Sequence, residues 1–457
     1  MGYVSTRGAA PELGFADVLL AGLARDGGLY VPEAWPALPA GAGRAQPYAA
    51  AAAEVMAPFV AGALDRAVFD AMVADAYRGF DHPEVAPLTP LGGGLHLLEL
   101  FHGPTLAFKD VALQLVGRLF DHELARRGER VTVVGATSGD TGSAAIEALR
   151  DREALDVFIL HPAGRVSEVQ RRQMTTVASP NVFNLAVAGT FDDCQDLVKA
   201  CFADEAFRDK LNLSAVNSIN WARVMAQIVY YVTAAARFDG APVAFAVPTG
   251  NFGNVYAGHA ARCMGLPVAR LVVASNRNDI LTRWFETGSL RRGEVSPTLS
   301  PSMDIQVSSN LERLLFELAG RDGAAVAALM DRFRSTGEAS APPPADGVWA
   351  AARVDEAETL AEIRRTYEET GVVLDPHSAV GVAAARRRRG DPDTAMVCLA
   401  TAHPAKFPDA VERAIGRRPA LPERLADLLA RPERLTALPN DLAAVQAFIL
   451  AHARAPG

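Results

Sequence analysis

From residue 97 onward, short apolar runs alternate with segments whose apolar residues have helical spacing. The runs predict buried strands at 130–135, 156–160, 182–187, 243–247, 270–274 and 395–400, the last being the final strand of the chain. The segments between them predict helices at 142–149, 166–174, 192–202, 220–236 and 254–264. Buried strands that alternate with helices are typical of α/β folds with open, mostly parallel sheets, helices on both faces and ligands at the carboxyl ends of the strands.

The first part of the chain has a different pattern. Residues 14–25 have helical spacing, and the alanine-rich stretch 49–76 is also helical, with Pro58 interrupting it. We expect three parts: a mainly helical N-terminal domain at 1–87, a large α/β domain formed by 88–130 and 239–457, and a smaller α/β subdomain at 131–238.

Composition narrows the class of protein. Of 457 residues, 50% are hydrophobic and 21% are charged, which is typical of a globular chain. The formal net charge of -8 argues against a surface dedicated to nucleic acids. The four arginines at 386–389 follow a helical pattern, so we interpret them as a solvated helix end. No HExxH sequence occurs, and no metal site is predicted.

The cysteines and the N-terminus bear on location. Cys194, Cys201, Cys263 and Cys398 show no CxxC spacing and lie in apolar stretches, as core thiols of a reducing compartment do. No signal peptide and no apolar window long enough for a membrane span is found. We expect a cytoplasmic protein with a small-molecule substrate and no nucleic-acid or membrane partner; the oligomeric state stays open between monomer and homodimer.

The sequence FHGPTLAFKD at 101–110 places Lys109 directly after an apolar run. Such a lysine either extends to solvent from a helix that begins at Asp110 or is a buried amine. Burial disfavours the charged form of lysine, and a neutral amine attacks aldehydes to form a Schiff base. The lysine alone does not decide between these alternatives.

Two glycine-rich loops follow predicted strands. In PTGNFGN at 248–254, the glycines would let the backbone approach a ligand, and the start of the next helix favours an anion such as phosphate; an ordinary turn is the alternative. In ATSGDTGS at 136–143, the hydroxyl and amide groups offer donors to a carboxylate or a phosphate. Asp140 either caps the following helix or orients these hydroxyls.

Two further segments carry candidate polar groups. In NSINWAR at 217–223, Asn217 or Ser218 could cap the long helix, and Arg223 either recognises a phosphate or carboxylate or lies on the surface. In TAHPAKF at 401–407, Thr401 lies at the carboxyl end of a strand, where sites form. We interpret His403 as a turn residue and assign it no chemistry.

One apolar lysine, two anion-binding loops and the absence of a GxGxxG fingerprint together fit pyridoxal phosphate. The aldehyde would react with Lys109, the phosphate would lie on the Gly250 loop, and an amino-acid substrate would lie on the Ser138 loop.

The motifs FHGPTLAFKD, ATSGDTG, NSIN, PTGNFGN and TAHPAKF, in this order, resemble the shorter, bacterial and fungal type of the threonine synthase family. STRG at 5–8 and SSNLER at 308–313 are similar to that family too. The resemblance implies a fold type II pyridoxal phosphate enzyme, related in fold to the tryptophan synthase β subunit, with Lys109 as the Schiff-base lysine. It implies further cofactor contacts from Phe108, Gly250, Asn251, Phe252, Gly253, Asn254 and Thr401, the last to the pyridine nitrogen. It implies substrate contacts from Thr137, Ser138, Asp140, Thr141, Asn217, Ser218, Asn220 and Arg223.

The implied activity is that of a carbon–oxygen lyase. O-phospho-L-homoserine and water would become L-threonine and phosphate by γ-elimination and β-addition of water, the last step of threonine biosynthesis. Because reactive intermediates need protection from water, we expect the segment 131–238 to close over the substrate. Two alternatives stay open: a phospho-lyase that releases 2-oxobutyrate, and a catalytically silent paralogue that binds the cofactor.

Overall fold

A computed structural model describes residues 1–44, 46–215 and 218–454 of the chain. Its strands are β1 Gly2–Ser5, β2 Leu13–Gly14, β3 Tyr30–Pro32, β4 Leu88–Gly92, β5 Leu95–Glu99, β6 Val131–Ala136, β7 Leu155–Pro162, β8 Val182–Val187, β9 Leu213–Ser214, β10 Val243–Pro248, β11 Val268–Ser275, β12 Ser289–Arg291, β13 Glu338–Ser340, β14 Trp349–Arg353, β15 Met396–Ala400 and β16 Thr436–Leu438. Its helices are α1 Phe15–Ala21, α2 Tyr48–Val60, α3 Arg66–Tyr77, α4 Lys109–Arg127, α5 Asp140–Leu149, α6 Glu168–Thr175, α7 Phe191–Ala203, α8 Glu205–Leu211, α9 Trp221–Ala235, α10 Gly253–Cys263, α11 Ile280–Thr287, α12 Leu311–Leu318, α13 Gly323–Thr336, α14 Glu356–Thr370, α15 Pro376–Arg388, α16 Pro408–Ile415 and α17 Leu442–His452. Short 3₁₀ turns occur at Ala236–Phe238, Pro301–Met303, Pro404–Lys406, Glu423–Leu425 and Leu428–Ala430.

The larger sheet has the strand order β14-β11-β10-β15-β5-β4. All neighbouring strands in it are parallel except β4 and β5, which are antiparallel. Successive residues of β10 point to opposite faces: Ala244 and Ala246 lie in one apolar core with residues of α15, while the Phe245 ring lies 4.8 Å from that of Tyr231 on α9. Helices therefore cover both faces, and the predicted architecture is confirmed.

A second sheet has the order β16-β8-β7-β6-β9, and each of its neighbouring pairs is parallel. Its core joins β7 and β8 with α7 and α17, and includes the buried thiols of Cys194 and Cys201. The prediction that 395–400 is the final strand is wrong, because β16 follows it. Three residues with little burial give no strand pattern, and β16 forms only where β8 offers a free edge.

The N-terminal part contains α2 and α3, but also an antiparallel sheet in the order β2-β1-β3 that the pattern did not indicate. Pro58 does not interrupt α2; it lies in the last turn, and the break follows at 61–65.

The chain divides into two compact units rather than three parts. One consists of 1–18, 23–112 and 218–419, and the other of 19–22, 113–217 and 420–457. The N-terminal helices thus belong to the larger unit, and the C-terminal segment from 420 belongs to the smaller one. The boundaries differ from those expected at 87, 130 and 238, because α4 continues from one unit into the other and α9 lies in the core of the larger one.

The described residues contain neither a membrane-spanning helix nor a cluster of metal ligands. No helix in 1–44, 46–215 or 218–454 is long and apolar enough to cross a membrane. Within the same ranges, no group of three or more histidine, cysteine and acidic side chains could hold a metal ion.

Candidate active site

Three adjacent strands of the larger sheet end beside one another, and each is followed by a segment with candidate chemistry. β10 leads to the loop 249–254, β15 leads to Thr401, and β5 leads to the segment 100–109. Because parallel strands present their carboxyl ends at the same edge, the sheet brings the predicted phosphate loop, the predicted pyridine partner and Lys109 to one place.

Lys109 is buried, with 7% of its surface exposed, and it is the first residue of α4. A helix start at Asp110 with an exposed lysine is therefore wrong. The amide of Phe108 donates to the carbonyl of Thr401 at 2.9 Å, and the Lys109 ammonium lies 4.8 Å from the centre of the Phe108 ring. Backbone hydrogen bonds thus fix Lys109 beside the end of β15.

A network of buried side chains at the start of α15 holds Thr401 in place. The Thr401 amide donates to Ser378 Oγ at 3.2 Å, and Ser378 Oγ donates to the Asp375 carboxylate, which caps α15. Asp375 also contacts His377 Nδ1 at 2.8 Å, and all four residues are buried. This network fixes the backbone at Thr401.

The carbonyl groups of the glycine loop point toward donors on one side. Ser308 Oγ donates to the Gly250 carbonyl at 2.6 Å, and Asn310 Nδ2 donates to the Asn251 carbonyl at 2.9 Å. A Cβ at Gly250 would lie 2.6 Å from the Ser302 carbonyl oxygen, so only glycine fits there. With these carbonyls engaged and the first amides of α10 lacking partners inside the helix, the loop presents donors to an anion.

Phe252 has a left-handed backbone, with φ 64°, which is rare for a residue with a side chain. Its ring is fully buried and stacks on Trp349, with 5.9 Å between ring centres. Such conformations persist only where the surroundings enforce them, and they cluster at ligand sites.

Asn254 is buried in the first turn of α10. Its Oδ1 accepts a hydrogen bond from Tyr230 Oη at 2.6 Å, while Tyr231 Oη donates to the Asn254 backbone carbonyl at 2.9 Å and lies 3.1 Å from Oδ1. Burial raises the pKa of both phenols well above their ordinary value, so they remain donors. The amide nitrogen of Asn254 has no partner among the described residues, although it is buried. Such an orphan donor needs an acceptor, and a phosphate oxygen supplies one.

Arg223 lies in the first turn of α9 and is buried rather than on the surface. Its Nε and Nη1 have no hydrogen-bond partner in the part of the chain that the structure describes. Burial lowers the pKa of Arg223 to about 10, so the guanidinium still carries its charge near neutral pH. A buried cation with two unused donors is a site for an anion.

The remaining residues of the NSIN segment have backbone roles. Asn220, rather than Asn217 or Ser218, caps α9, with its Oδ1 accepting from the Ala222 amide at 3.0 Å. The Ser218 carbonyl accepts from Asn310 Nδ2 at 3.1 Å, so one amide group holds both this segment and the glycine loop. Asn217 lies outside the described residues.

The loop 137–141 lies in the smaller unit, after β6. Thr137 Oγ1 accepts from the amides of Gly139 and Gly142 at 3.0 and 2.8 Å, so these two amides are not free for a ligand as the sequence suggested. Asp140 does not cap α5, whose N-cap is Gly139; it accepts from Gln170 Nε2 at 2.8 Å. Ser138 and Thr141 are half-buried.

Sequence reasoning missed the residues that support the loops. Ser308 and Asn310 belong to the SSNLER motif, which is similar to the family but indicated no role for either residue. Tyr230 and Tyr231 look like ordinary core residues of an apolar helix. Lys406 lies in the TAHPAKF motif, for which the sequence predicted a role only at Thr401.

The residues present fit a pyridoxal phosphate group in two respects: a buried lysine at a strand end, and a donor-lined loop with an orphan amide one strand away. Family models match in three places: "Threonine synthase N terminus" at 2–77, "Pyridoxal-phosphate dependent enzyme" at 86–402 and "Threonine synthase, C-terminal" at 378–449. The chain is 56% identical over 466 residues to threonine synthase of Pseudomonas aeruginosa, covering 99% of this chain and 98% of that one.

The chain belongs to the threonine synthase family.

Solved structures agree. Pyridoxal phosphate-bound threonine synthase from Brucella melitensis matches with a TM-score of 0.97 and 52% identity, covering all of both chains. Threonine synthase from yeast matches with a TM-score of 0.93 and 39% identity, covering 99% of this chain and 98% of that one. The predicted family, fold type II architecture, pyridoxal phosphate dependence and threonine synthase activity are confirmed.

Proposed function

We propose that this member of the threonine synthase family converts O-phospho-L-homoserine and water to L-threonine and phosphate, with Lys109 as its catalytic residue. The observation that carries the proposal is the meeting of Lys109, Thr401 and the glycine loop at the carboxyl ends of β5, β15 and β10. Pyridoxal phosphate, when bound, withdraws electrons from the substrate carbons. The chain supplies the binding, the orientation and the proton transfers.

The cofactor end of the site is assigned to five consecutive residues, 250–254, and to three others: Phe108, Lys109 and Thr401. The amides at 250–254 and Asn254 Nδ2 would hold the phosphate of the cofactor, Phe108 would border it, and Thr401 would hydrogen-bond the pyridine nitrogen. Because threonine is a neutral partner, that nitrogen would stay unprotonated. Lys109 would hold the aldehyde carbon and, once displaced by the substrate amine, would act as the base that removes the proton from Cα.

The substrate end is assigned to two segments. The guanidinium of Arg223 would bind the substrate phosphate, supported by Asn217, Ser218 and Asn220. Its two unused donors and its burial support this assignment, since a planar fork suits phosphate. In the smaller unit, the residues proposed to bind the substrate carboxylate are Thr137, Ser138, Asp140 and Thr141.

We also propose that the segment 131–238 closes over the substrate, with the part that belongs to the smaller unit, 131–215, as the part that moves. Water must be excluded until the step in which it adds to Cβ. Hydrogen exchange of this segment with and without a non-reacting substrate analogue tests the proposal, and unchanged protection would count against it.

Location and assembly remain proposals. We propose a cytoplasmic enzyme, because burial raises the pKa of Cys194 and Cys201 to about 11 and that of Cys398 to about 12, which leaves these three as unreactive thiols. Cys263 is exposed, so the expectation that it is a core thiol is wrong. Light scattering would decide between monomer and homodimer.

The reaction is tested by product analysis. The protein loaded with pyridoxal phosphate is incubated with O-phospho-L-homoserine, and phosphate, threonine and 2-oxobutyrate are measured. Equal amounts of threonine and phosphate support the proposal, and phosphate with 2-oxobutyrate supports the phospho-lyase alternative. Absence of phosphate release supports the silent paralogue.

The lysine is tested by borohydride reduction and peptide mapping. The chain has only four lysines: 109, 199, 210 and 406. We expect the modification on Lys109 alone, and loss of it in Lys109→Ala but not in the control Lys199→Ala, whose parent side chain is 70% exposed. A modified peptide that contains another lysine would overturn the assignment.

A further inference from the structure

Lys406 is the second buried lysine of the chain, and its side chain has no exposed surface. Its Nζ donates to the carbonyl of Thr105 at 2.7 Å. Lysine is rarely buried without a charged partner, because removing an ammonium group from water is strongly unfavourable. A nearby negative charge is therefore expected for Lys406, and its burial indicates a specific role.

A carboxylate that shares the partner Thr105 with Lys406 belongs to Asp110, which is also fully buried. Its carboxylate accepts from the Thr105 amide at 2.8 Å and from Thr105 Oγ1 at 2.7 Å. Burial raises the pKa of Asp110 to about 6, and its hydrogen bonds to Thr105 and the positive charge of Lys406 oppose this rise. Thr105 thus lies between the two charges, with its carbonyl on the ammonium and its amide and hydroxyl on the carboxylate.

The residues held in this way form the turn that leads to Lys109. Leu106 has a left-handed backbone with φ 63°, which costs energy for a residue with a side chain. A Cβ at Gly103 would lie 2.4 Å from Asp110 Cβ, so the turn closes tightly on the start of α4. Its outer side is fixed by the His403 amide, which donates to the Leu106 carbonyl at 3.0 Å.

We propose that Lys406 is a positioning residue for Lys109: its buried ammonium group, opposite Asp110, holds the Thr105–Leu106 turn and so sets where the Lys109 amine stands. The proposal rests on the assignment of Lys109 as the lysine that binds the cofactor. It explains why a lysine, rather than an apolar residue, occupies a site without exposure in the segment that follows β15.

The test compares Lys406→Met, which removes the charge and the donor, with Lys406→Gln, which keeps a donor without the charge. Lys199→Met is the matched control on the surface. Each protein, freed of cofactor, is mixed with pyridoxal phosphate, and the rate of the absorbance change is measured together with the affinity for inorganic phosphate. Borohydride mapping of the parent and of Lys109→Ala, done first, tests the underlying assignment separately.

We expect Lys406→Met to react with the cofactor about tenfold or more slowly, because small misplacements of a reacting group have effects of that order, while its phosphate affinity stays within twofold. Lys406→Gln should be intermediate, and Lys199→Met should match the parent. A folded Lys406→Met that reacts as fast as the parent would overturn the proposal. Failure of both Lys406 variants to fold would also overturn it, since the residue would then stabilise the fold rather than position Lys109.

Discussion

Tyr230 Oη lies 2.6 Å from Asn254 Oδ1, and this contact sets the direction of the whole amide group of Asn254. With the oxygen held by Tyr230, the nitrogen is left as a buried donor at the start of α10. Tyr230 on α9 thereby orients the Asn254 amide so that its nitrogen can donate to a ligand. The loop alone would not fix this orientation.

Tyr230→Phe should weaken cofactor binding. Loss of one donor to Asn254 lets the amide rotate, and a single hydrogen bond contributes about 1 kcal/mol, or roughly fivefold in the dissociation constant. Equilibrium dialysis of pyridoxal phosphate measures it, with Tyr367→Phe as the control because the ring of Tyr367 packs on Arg417. Equal affinity of parent and Tyr230→Phe would show that Asn254 Nδ2 does not bind the cofactor.

Asn310→Ala should loosen two segments at once. The side chain donates to the carbonyls of Asn251 and Ser218, and its own oxygen accepts from Arg313. Loss of two hydrogen bonds at about 1 kcal/mol each should lower cofactor affinity by roughly tenfold or more. The KM for the phosphorylated substrate should rise as well, while the exposed Asn440→Ala should change neither. A variant with weaker cofactor binding and an unchanged KM would mean that the Ser218 segment does not contact the substrate.

Arg223→Met should make the protein more stable and less able to use its substrate. An uncompensated buried charge destabilises a fold, so its replacement by an apolar side chain should raise the melting temperature by a few degrees. The KM for O-phospho-L-homoserine should rise by roughly two orders of magnitude, as expected from loss of a charge-assisted contact of about 3 kcal/mol.

A ligand experiment separates these two effects of Arg223. Inorganic phosphate should raise the melting temperature of the parent more than that of Arg223→Met. The variant should still show some increase, because its glycine loop can still bind phosphate. If Arg223→Met were less stable than the parent, the guanidinium would be a satisfied structural group rather than an anion site.

The order of strands and helices could be predicted because buried parallel strands are nearly continuous apolar runs, as at 182–187. Lys109 and the glycine loop could be predicted because the residues that give each its chemical character are consecutive in the sequence. The groups that orient the loop could not. Asn310 meets Asn251 across 59 positions, and no local pattern shows which carbonyl a distant amide will bind.

Errors in the smaller unit have a similar cause. Thr137, Gly139 and Gly142 look like free donors in the sequence, but the loop folds so that they satisfy each other. Asn220 displaces two equally suitable neighbours as N-cap because α9 begins at Trp221, whose fully buried ring packs on Tyr3 and Phe59. Tertiary packing therefore chooses among local alternatives of similar free energy.

Asp110 should make stability depend on pH between about 4 and 6. Burial raises its pKa from 3.8 to about 6, against the opposing effects of Thr105 and Lys406. The folded state then holds the proton more tightly than the unfolded state, so this group favours folding below pH 4 and loses that contribution as the pH rises through 6. A difference of about two pKa units corresponds to about 3 kcal/mol.

The measurement is urea unfolding at several pH values for the parent and Asp110→Asn, whose amide cannot titrate. The free energy of unfolding of the parent should fall relative to that of the variant by about 3 kcal/mol between pH 3 and 7, and the two curves should run parallel above pH 7. A parent curve that rises relative to the variant over this range would show instead that Lys406 keeps the Asp110 carboxylate ionised, with a pKa below 3.8. Lys406→Met should then lower the free energy of unfolding, because it would leave the Asp110 carboxylate buried without the opposing positive charge.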